Sequence, residues 1–222
     1  MKTTSIALLL AVITGCAATP STPQEPVPDL AGVRKITAID LSDSMRTYHC
    51  TATFVSTTVA ITAAHCLGRH DSEPVVNVQD AEGVHITATL IMRSGGYRSD
   101  DLEVSTRSDW ALVQFDAPVV QAKDVYTLAA YQDSQKILTS VGYPVPPFDS
   151  NQERVTSQVV GVSEYLIQHD AELGTGYSGG PLLVEGRVVG INTQDAPSGT
   201  IAIKLYPEMV DALQGLLSTL DE

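Results

Sequence analysis

The chain has no run of lysine or arginine anywhere along its 222 residues, and acidic residues outnumber basic ones by 26 to 13. A surface without clustered cations does not attract nucleic acid or an anionic membrane through charge. The sequence therefore argues against nucleic acid as a partner. The net charge of −13 steers a cationic partner, or it serves solubility alone.

Metal-ligating motifs, internal repeats and a second core pattern are missing as well. The sequence contains neither H-E-x-x-H nor paired C-x-x-C motifs, so we expect no metal or other cofactor. An acidic loop at Asp100 and Asp101 leaves calcium as an open alternative. With 43% hydrophobic residues, the chain is expected to form one domain with a sizeable core and to be monomeric.

The chain also lacks an apolar run long enough for a permanent membrane helix, and its best candidate is a targeting segment. Lys2 precedes a short apolar run over residues 5–13, as in a signal peptide. The following I-T-G-C resembles the lipobox of bacterial lipoproteins, in which a cysteine becomes lipidated. We predict a signal peptide over residues 1–15 and a lipid on Cys16. An ordinary signal peptide would explain the apolar run but not the cysteine.

A proline-rich segment separates this leader from the rest of the chain. Residues 16–32 contain four prolines and few residues able to pack, which is typical of an extended tether. A lipid on Cys16 would hold the following domain, residues 33–222, on a bacterial membrane facing the periplasm or the cell surface. Loss of Lys2 with the signal peptide leaves 12 basic residues against 26 acidic ones, a net charge of −14.

Cysteine is scarce, and its odd count needs an explanation in an exported protein. The three cysteines are Cys16, Cys50 and Cys66. Lipidation of Cys16 leaves the other two to form a disulfide in an oxidising compartment. The alternative is a pair of buried free thiols.

The remainder of the chain has the chemistry of short β-strands separated by turn signals. The segments expected to form strands are 33–41, 50–56, 59–64, 84–92, 110–115, 136–142, 155–163, 181–184, 187–192 and 200–205. Residues 207–217 instead place apolar side chains on one helical face after a proline. We therefore predict a mostly antiparallel all-β protein with a C-terminal α-helix.

Three polar residues in distinctive settings are candidates for catalysis. Ser178 lies in the turn G-T-G-Y-S-G-G-P, where glycines can expose a hydroxyl and backbone N–H groups in one cleft. His65 ends an apolar strand in T-A-A-H-C-L, and Asp109 stands at the mouth of another in S-D-W-A-L. A serine nucleophile needs a base, and the base needs an acceptor on its other nitrogen.

T-A-A-H-C, D-W-A-L and G-Y-S-G-G-P, in that order, resemble the trypsin-like (chymotrypsin-fold) serine peptidases, in which histidine, aspartate and serine follow one another in this sequence. The resemblance extends from about residue 33 to the C-terminus and is closest in style to bacterial members. It implies two six-stranded antiparallel β-barrels, divided near residues 120–135, with the site between them. It also implies a protein or peptide substrate.

The resemblance assigns a role to each candidate. Ser178 would attack a peptide carbonyl, His65 would take its proton, and Asp109 would orient His65. The N–H groups of Gly176 and Ser178 would form the oxyanion hole. The alternative reading is an inactive peptidase-fold lipoprotein that binds peptides or proteins without cleaving them.

Tyr177 departs from the family pattern. Zymogen-activated members carry an aspartate there, which pairs with a new N-terminal ammonium group after cleavage. Tyr177 cannot form that ion pair, and the chain offers no usual activation sequence. We expect the oxyanion loop to form without proteolytic activation, with the Tyr177 ring packed into the space of the ion pair.

The resemblance gives two alternatives for the pocket that selects the substrate side chain. Glu172 falls at the position that forms the pocket base in trypsin-like members, where a carboxylate would favour lysine or arginine. The other alternative is that Glu172 is a solvated loop residue, or that the register places Leu173 in the pocket, where it favours apolar side chains. Thr193, Gln194 and residues 199–201 are expected to form the walls.

Overall fold

The computed structural model describes residues 30–41, 46–68, 74–79, 83–97, 101–145 and 151–220 of the chain. The predicted signal peptide, Cys16 and most of the tether lie outside these residues, as does Asp100. No helix in the described part is long and apolar enough to cross a membrane.

Six strands in the first half of the chain close into an antiparallel barrel. They are Val33–Asp40 (β1), Arg46–Phe54 (β2), Val59–Thr62 (β3), Val75–Gln79 (β4), His85–Arg93 (β5) and Ala111–Phe115 (β6). The strand order around the barrel is β1-β2-β3-β6-β5-β4. β3 is buried along its whole length, whereas β5 alternates between half-buried and exposed residues over its first half. This difference places β3 on the side of the barrel that faces the rest of the molecule.

Six further strands form a second antiparallel barrel. They are Ile137–Gly142 (β7), Glu153–Val162 (β8), Leu166–His169 (β9), Pro181–Val184 (β10), Arg187–Ala196 (β11) and Gly199–Lys204 (β12). Their order is β10-β11-β12-β9-β8-β7. β11 and β12 lose register between Asn192 and Gln194. This β-bulge leaves Thr193 without a cross-strand partner and bends the strand beside the candidate nucleophile.

The described residues add two α-helices to the barrels. Leu102–Arg107 (α1) begins at Asp101, whose carboxylate accepts hydrogen bonds from the N–H groups of Glu103 and Val104. Pro207–Leu220 (α2) ends the described chain and buries Met209, Val210 and Leu213.

An apolar cluster joins the two barrels. It contains Val33 and Ile61 from the first barrel, Val141 and Ile203 from the second, and the buried face of α2. Because these side chains are almost fully excluded from water, a shift of one barrel against the other would expose apolar surface at about 25 cal/mol per Å². The cluster therefore fixes the relative position of the residues that each barrel contributes to the cleft.

The predicted fold class is confirmed: two closed six-stranded antiparallel barrels and a C-terminal helix. All ten predicted strands are present, within a few residues at their ends. The sequence analysis missed β4, β9 and α1, which are short. The link between β6 and β7 spans residues 116–136, where the division into two barrels was expected.

The predicted disulfide between Cys50 and Cys66 is also confirmed. Cys50 lies in β2, and Cys66 lies in the 3-10 helix Ala64–Leu67 that follows β3. The bond therefore fixes this short helix, which carries His65, to the barrel wall.

Replacing both Cys50 and Cys66 by alanine is expected to destabilise the domain. The two cysteines are 16 residues apart, and a closed loop of that length contributes about 3 kcal/mol by restricting the unfolded chain. In a domain of this size the loss corresponds to a fall in melting temperature of about 6 to 12 °C. Differential scanning calorimetry measures it. A reductant should lower the melting temperature of the wild type but not that of the double alanine variant. Equal melting temperatures for the wild type and the variant without reductant would show that the disulfide does not stabilise the domain.

Candidate active site

His65 lies at the mouth of the cleft in a turn whose other residues face inward. Ala64, Cys66 and Leu67 are buried, and His65 is the half-exposed member of the 3-10 helix. The backbone of His65 is restrained, because its neighbours are buried and Cys66 is held by the disulfide. The turn therefore presents the ring to the cleft at a fixed point of the first barrel.

Asp109 holds the imidazole of His65 by two contacts. One carboxylate oxygen, Oδ2, lies 2.6 Å from Nδ1 of His65, and the other, Oδ1, accepts a hydrogen bond of 2.8 Å from the backbone N–H of His65. Asp109 is only 8% exposed, so water competes weakly for its oxygens. With Nδ1 engaged, Nε2 of His65 is the nitrogen left to exchange a proton with a reactant.

The carboxylate of Asp101 does not share this position. Asp101 caps α1 through its side chain and so has a structural role. The pattern of an aspartate before Leu102 with Glu103 in the first turn is a helix start signal that the sequence analysis overlooked.

Ser178 sits in a turn that two glycines in the left-handed region make possible. Gly176 has φ of +102° and Gly179 has φ of +81°, conformations that side chains disfavour. A Cβ atom at Gly179 would also lie 2.1 Å from Oγ1 of Thr62 and 2.2 Å from the carbonyl oxygen of Thr51. The glycines therefore let the second barrel press its turn against the first.

The candidate nucleophile and the imidazole lie beside the same disulfide. Sγ of Cys66 is 3.8 Å from Nε2 of His65 and 3.7 Å from the carbonyl oxygen of Ser178. The Ser178 hydroxyl lies 3.5 Å from the carbonyl oxygen of Thr193 at the bulge of β11. All three residues that the sequence analysis selected therefore lie in one region, two from one barrel and one from the other, while the hydroxyl of Ser178 is directed to Thr193 and not to His65.

Backbone donors at the turn divide into occupied and unoccupied groups. The N–H groups of Tyr177, Gly179 and Gly180 donate to the carbonyl oxygens of Gly174, Asn192 and Tyr177, respectively. Within the part of the chain that the structure describes, the N–H groups of Gly176 and Ser178 donate to no acceptor. These two are the donors that the sequence analysis assigned to an oxyanion hole.

Tyr177 is buried beneath the turn rather than exposed in the cleft. Its ring packs with Ala171, Leu173 and Val155. A Cβ atom at Gly142 would lie 2.4 Å from the ring, so the ring rests directly on that glycine. Burial raises the pKa of Tyr177, and the nearby Glu153 carboxylate raises it further.

The hydroxyl of Tyr177 has a defined partner. It donates a hydrogen bond of 2.9 Å to Oε2 of Glu153 at the start of β8. The bond joins the residue before the nucleophile to the barrel wall.

A pocket of about 280 Å³ opens next to Ser178. The predicted residues Leu173, Thr193 and Gln194 line it. Glu172 does not, because its side chain is exposed and absent from the pocket wall. The structure therefore favours the register with Leu173 in the pocket, and the alternative that placed Glu172 at its base is not supported.

At the buried end of this pocket, sequence reasoning missed Asn192, whereas Thr200 belongs to the predicted wall segment 199–201. Asn192, which is 1% exposed, lines the pocket together with Thr200. Oδ1 of Asn192 lies 3.3 Å from Nε2 of His169, a fully buried residue of β9. Burial lowers the pKa of His169. The pairing of β9 with β12 and of β12 with β11 brings Asn192 and His169 together, and no local sequence pattern indicates this contact.

One cluster of potential metal ligands occurs among the described residues, and it contains Cys50, His65 and Cys66. Since both sulfur atoms are joined in the disulfide, the cluster offers no thiolate to a metal. His65 alone would remain as a ligand.

Comparisons with known proteins agree with this geometry. A family model described as "Trypsin-like peptidase domain" matches residues 50–191, which is more than half of the chain. No curated protein matches the sequence.

Solved structures share the fold at low identity. A Glu endopeptidase in complex with MPD aligns with a TM-score of 0.68 and 16% identity, over 82% of this chain and 90% of that one. A scabies mite inactivated protease paralogue, S-I1, aligns with a TM-score of 0.70 and 15% identity, over 86% of this chain and 96% of that one. A thermostable serine protease, AL20, from an extremophilic microorganism aligns with a TM-score of 0.68 and 16% identity, over 87% of this chain and 99% of that one. The family match and these shared folds together show that the chain belongs to the trypsin-like peptidases and is a serine endopeptidase of the chymotrypsin fold.

Proposed function

We propose that this protein hydrolyses peptide bonds through Ser178, His65 and Asp109 and an acyl-enzyme intermediate. The observation that carries the proposal is the two-point contact between Asp109 and His65. It fixes the tautomer and the orientation of the imidazole, as a general base for a serine requires.

The proposed reaction gives each group one role. Oγ of Ser178 bonds to the substrate carbonyl carbon while its proton passes to Nε2 of His65, and the carbonyl electron pair moves onto oxygen. The N–H groups of Gly176 and Ser178 are free to stabilise that oxyanion. Collapse of the intermediate breaks the C–N bond, and His65 gives its proton to the leaving amine. Water then repeats both steps and releases the acid.

Activation by cleavage is not part of this proposal. In its place the turn is supported by the buried Tyr177 ring and by the hydrogen bond from its hydroxyl to Glu153. Both contacts come from residues within the second barrel, so neither depends on a newly formed N-terminus.

The pocket supports a preference for an uncharged side chain at P1, the residue before the scissile bond. Among the described residues that line it, none carries a positive charge, and the single carboxylate, Asp195, is exposed. A lysine or arginine entering the pocket would lose water without gaining a buried partner. Amide and hydroxyl groups from Asn192 and Thr200 instead suit polar or small P1 side chains.

Changing Asp109 to asparagine should lower kcat on a quenched fluorescent casein by about 10³- to 10⁴-fold, because an amide cannot accept both hydrogen bonds from His65. Asp101→Asn is the matched control. It changes a nearby carboxylate that only caps α1, and asparagine caps equally well. Ser178→Ala sets the background. Equal rates for Asp109→Asn and the wild type would remove Asp109 from the mechanism.

Changing Glu172 to alanine should leave the P1 profile on a peptide library unchanged, since the exposed Glu172 side chain does not line the pocket. Asn192→Leu replaces a buried amide with an apolar group of similar volume and should shift the profile from polar towards apolar P1 residues. A lysine or arginine preference that disappears in Glu172→Ala would restore Glu172 as the specificity residue.

Changing Tyr177 to phenylalanine removes one hydrogen bond and should reduce the free energy of unfolding by about 1 kcal/mol at neutral pH. The raised pKa of Tyr177 means that the folded state retains the phenolic proton. Its stabilising contribution is therefore complete below pH ~10 and is lost as the pH rises further. Urea titrations should show the two proteins converging at alkaline pH. A constant difference between them would contradict this linkage.

A further inference from the structure

Thr51 connects the first barrel to the nucleophile turn of the second. It follows Cys50 in β2 and is fully buried. Its backbone N–H donates a hydrogen bond of 2.9 Å to the carbonyl oxygen of Ser178. Its hydroxyl donates a second one, of 2.7 Å, to the carbonyl oxygen of Gly176. One residue therefore holds the peptide groups on both sides of Tyr177 and Ser178.

The direction of the Thr51 hydroxyl is set by its neighbours. The backbone N–H of Tyr143 donates to Oγ1 of Thr51 at 3.0 Å. A hydroxyl has one proton to give, and with this donor on a lone pair, that proton points to the carbonyl of Gly176. The backbone of Thr51 is fixed as well, since its carbonyl oxygen accepts a hydrogen bond of 2.7 Å from Oγ1 of Thr62.

These contacts act on the peptide that follows Gly176. The peptide before Gly176 is held through a hydrogen bond of 2.7 Å from the N–H of Val145 to the carbonyl oxygen of Thr175. Gly176 has no side chain and sits at φ of +102°, so steric limits on the peptide that follows it are weaker than after another residue. The two unoccupied N–H groups of the turn belong to peptides next to those that Thr51 holds. Rotation of the Gly176 carbonyl would turn these donors away from the position where an oxyanion develops.

We infer that Thr51 is a positioning residue for the oxyanion hole and that its hydroxyl holds the Gly176 peptide in the reactive orientation. The inference rests on the proposed function, because it assigns the N–H groups of Gly176 and Ser178 to the transition state. Thr51 itself is buried and acts through the turn.

The test compares Thr51→Val with Thr51→Ser and with a control two residues along the same strand. Thr53 is also fully buried, but its hydroxyl has no hydrogen-bond partner among the described residues. Thr53→Val therefore makes the same chemical change without touching the turn. The readouts are the rate constant for labelling by a fluorophosphonate and the kcat and KM for the fluorescent casein, on protein verified as folded by circular dichroism.

Thr51→Val should lower the labelling rate constant and kcat by about tenfold or more, less than the direct loss of a donor, with KM within about twofold. Thr51→Ser and Thr53→Val should stay close to the wild type. Wild-type rates in Thr51→Val would overturn the inference. Equal losses in Thr51→Val and Thr51→Ser would overturn it too, because the methyl group would then matter and not the hydroxyl.

Hydrogen exchange of the segment 174–180, measured by mass spectrometry, gives a readout that does not need activity. The segment should exchange faster in Thr51→Val than in the wild type and Thr53→Val. Unchanged exchange would overturn the role of Thr51 whatever the rates. An inert wild type whose turn loosens in Thr51→Val would instead refute the proposed function and leave Thr51 as the residue that holds the turn.

Discussion

The candidate site depends on one short piece of β2, because its reacting groups come from two separate barrels. Cys50 ties the His65 turn to the first barrel through the disulfide. Its neighbour Thr51 is hydrogen-bonded to the Ser178 turn of the second. Two adjacent residues of β2 thus fix the positions of the candidate base, His65, and the candidate nucleophile, Ser178. The apolar cluster between the barrels opposes movement of one barrel against the other, since such movement would expose buried side chains.

Tyr177 supports the Ser178 turn through contacts that lie within the second barrel. A buried aromatic ring supports the turn by packing, and its hydroxyl needs only the Glu153 carboxylate as acceptor. Such support is present as soon as the second barrel folds. An ion pair with a new N-terminus would instead wait for a cleavage. In the proposed function, the buried Tyr177 therefore supports the turn without any cleavage of the chain.

The sequence was informative where function lies in local motifs and less so where it depends on distant pairing. His65, Asp109 and Ser178 could be selected because each ends a strand or occupies a glycine-rich turn, and the strands have clear chemistry. The pocket was harder to predict. Whether Glu172 or Leu173 faces it depends on how the loop before Ser178 leaves β9, and Asn192 meets His169 only through the pairing of three strands. Thr51 had no signal at all, because its role consists of contacts with residues more than 90 positions away.

The central claim is that the nucleophile, the base and the oxyanion donors are assembled in the uncut chain despite Tyr177. The most direct measurement is the intact mass of the purified protein after treatment with a fluorophosphonate, followed by peptide mapping. The account predicts a single adduct on Ser178, formed on protein whose mass shows no cleavage and absent from Ser178→Ala. A folded protein that takes up no reagent, or reacts only after proteolytic cleavage, would contradict it.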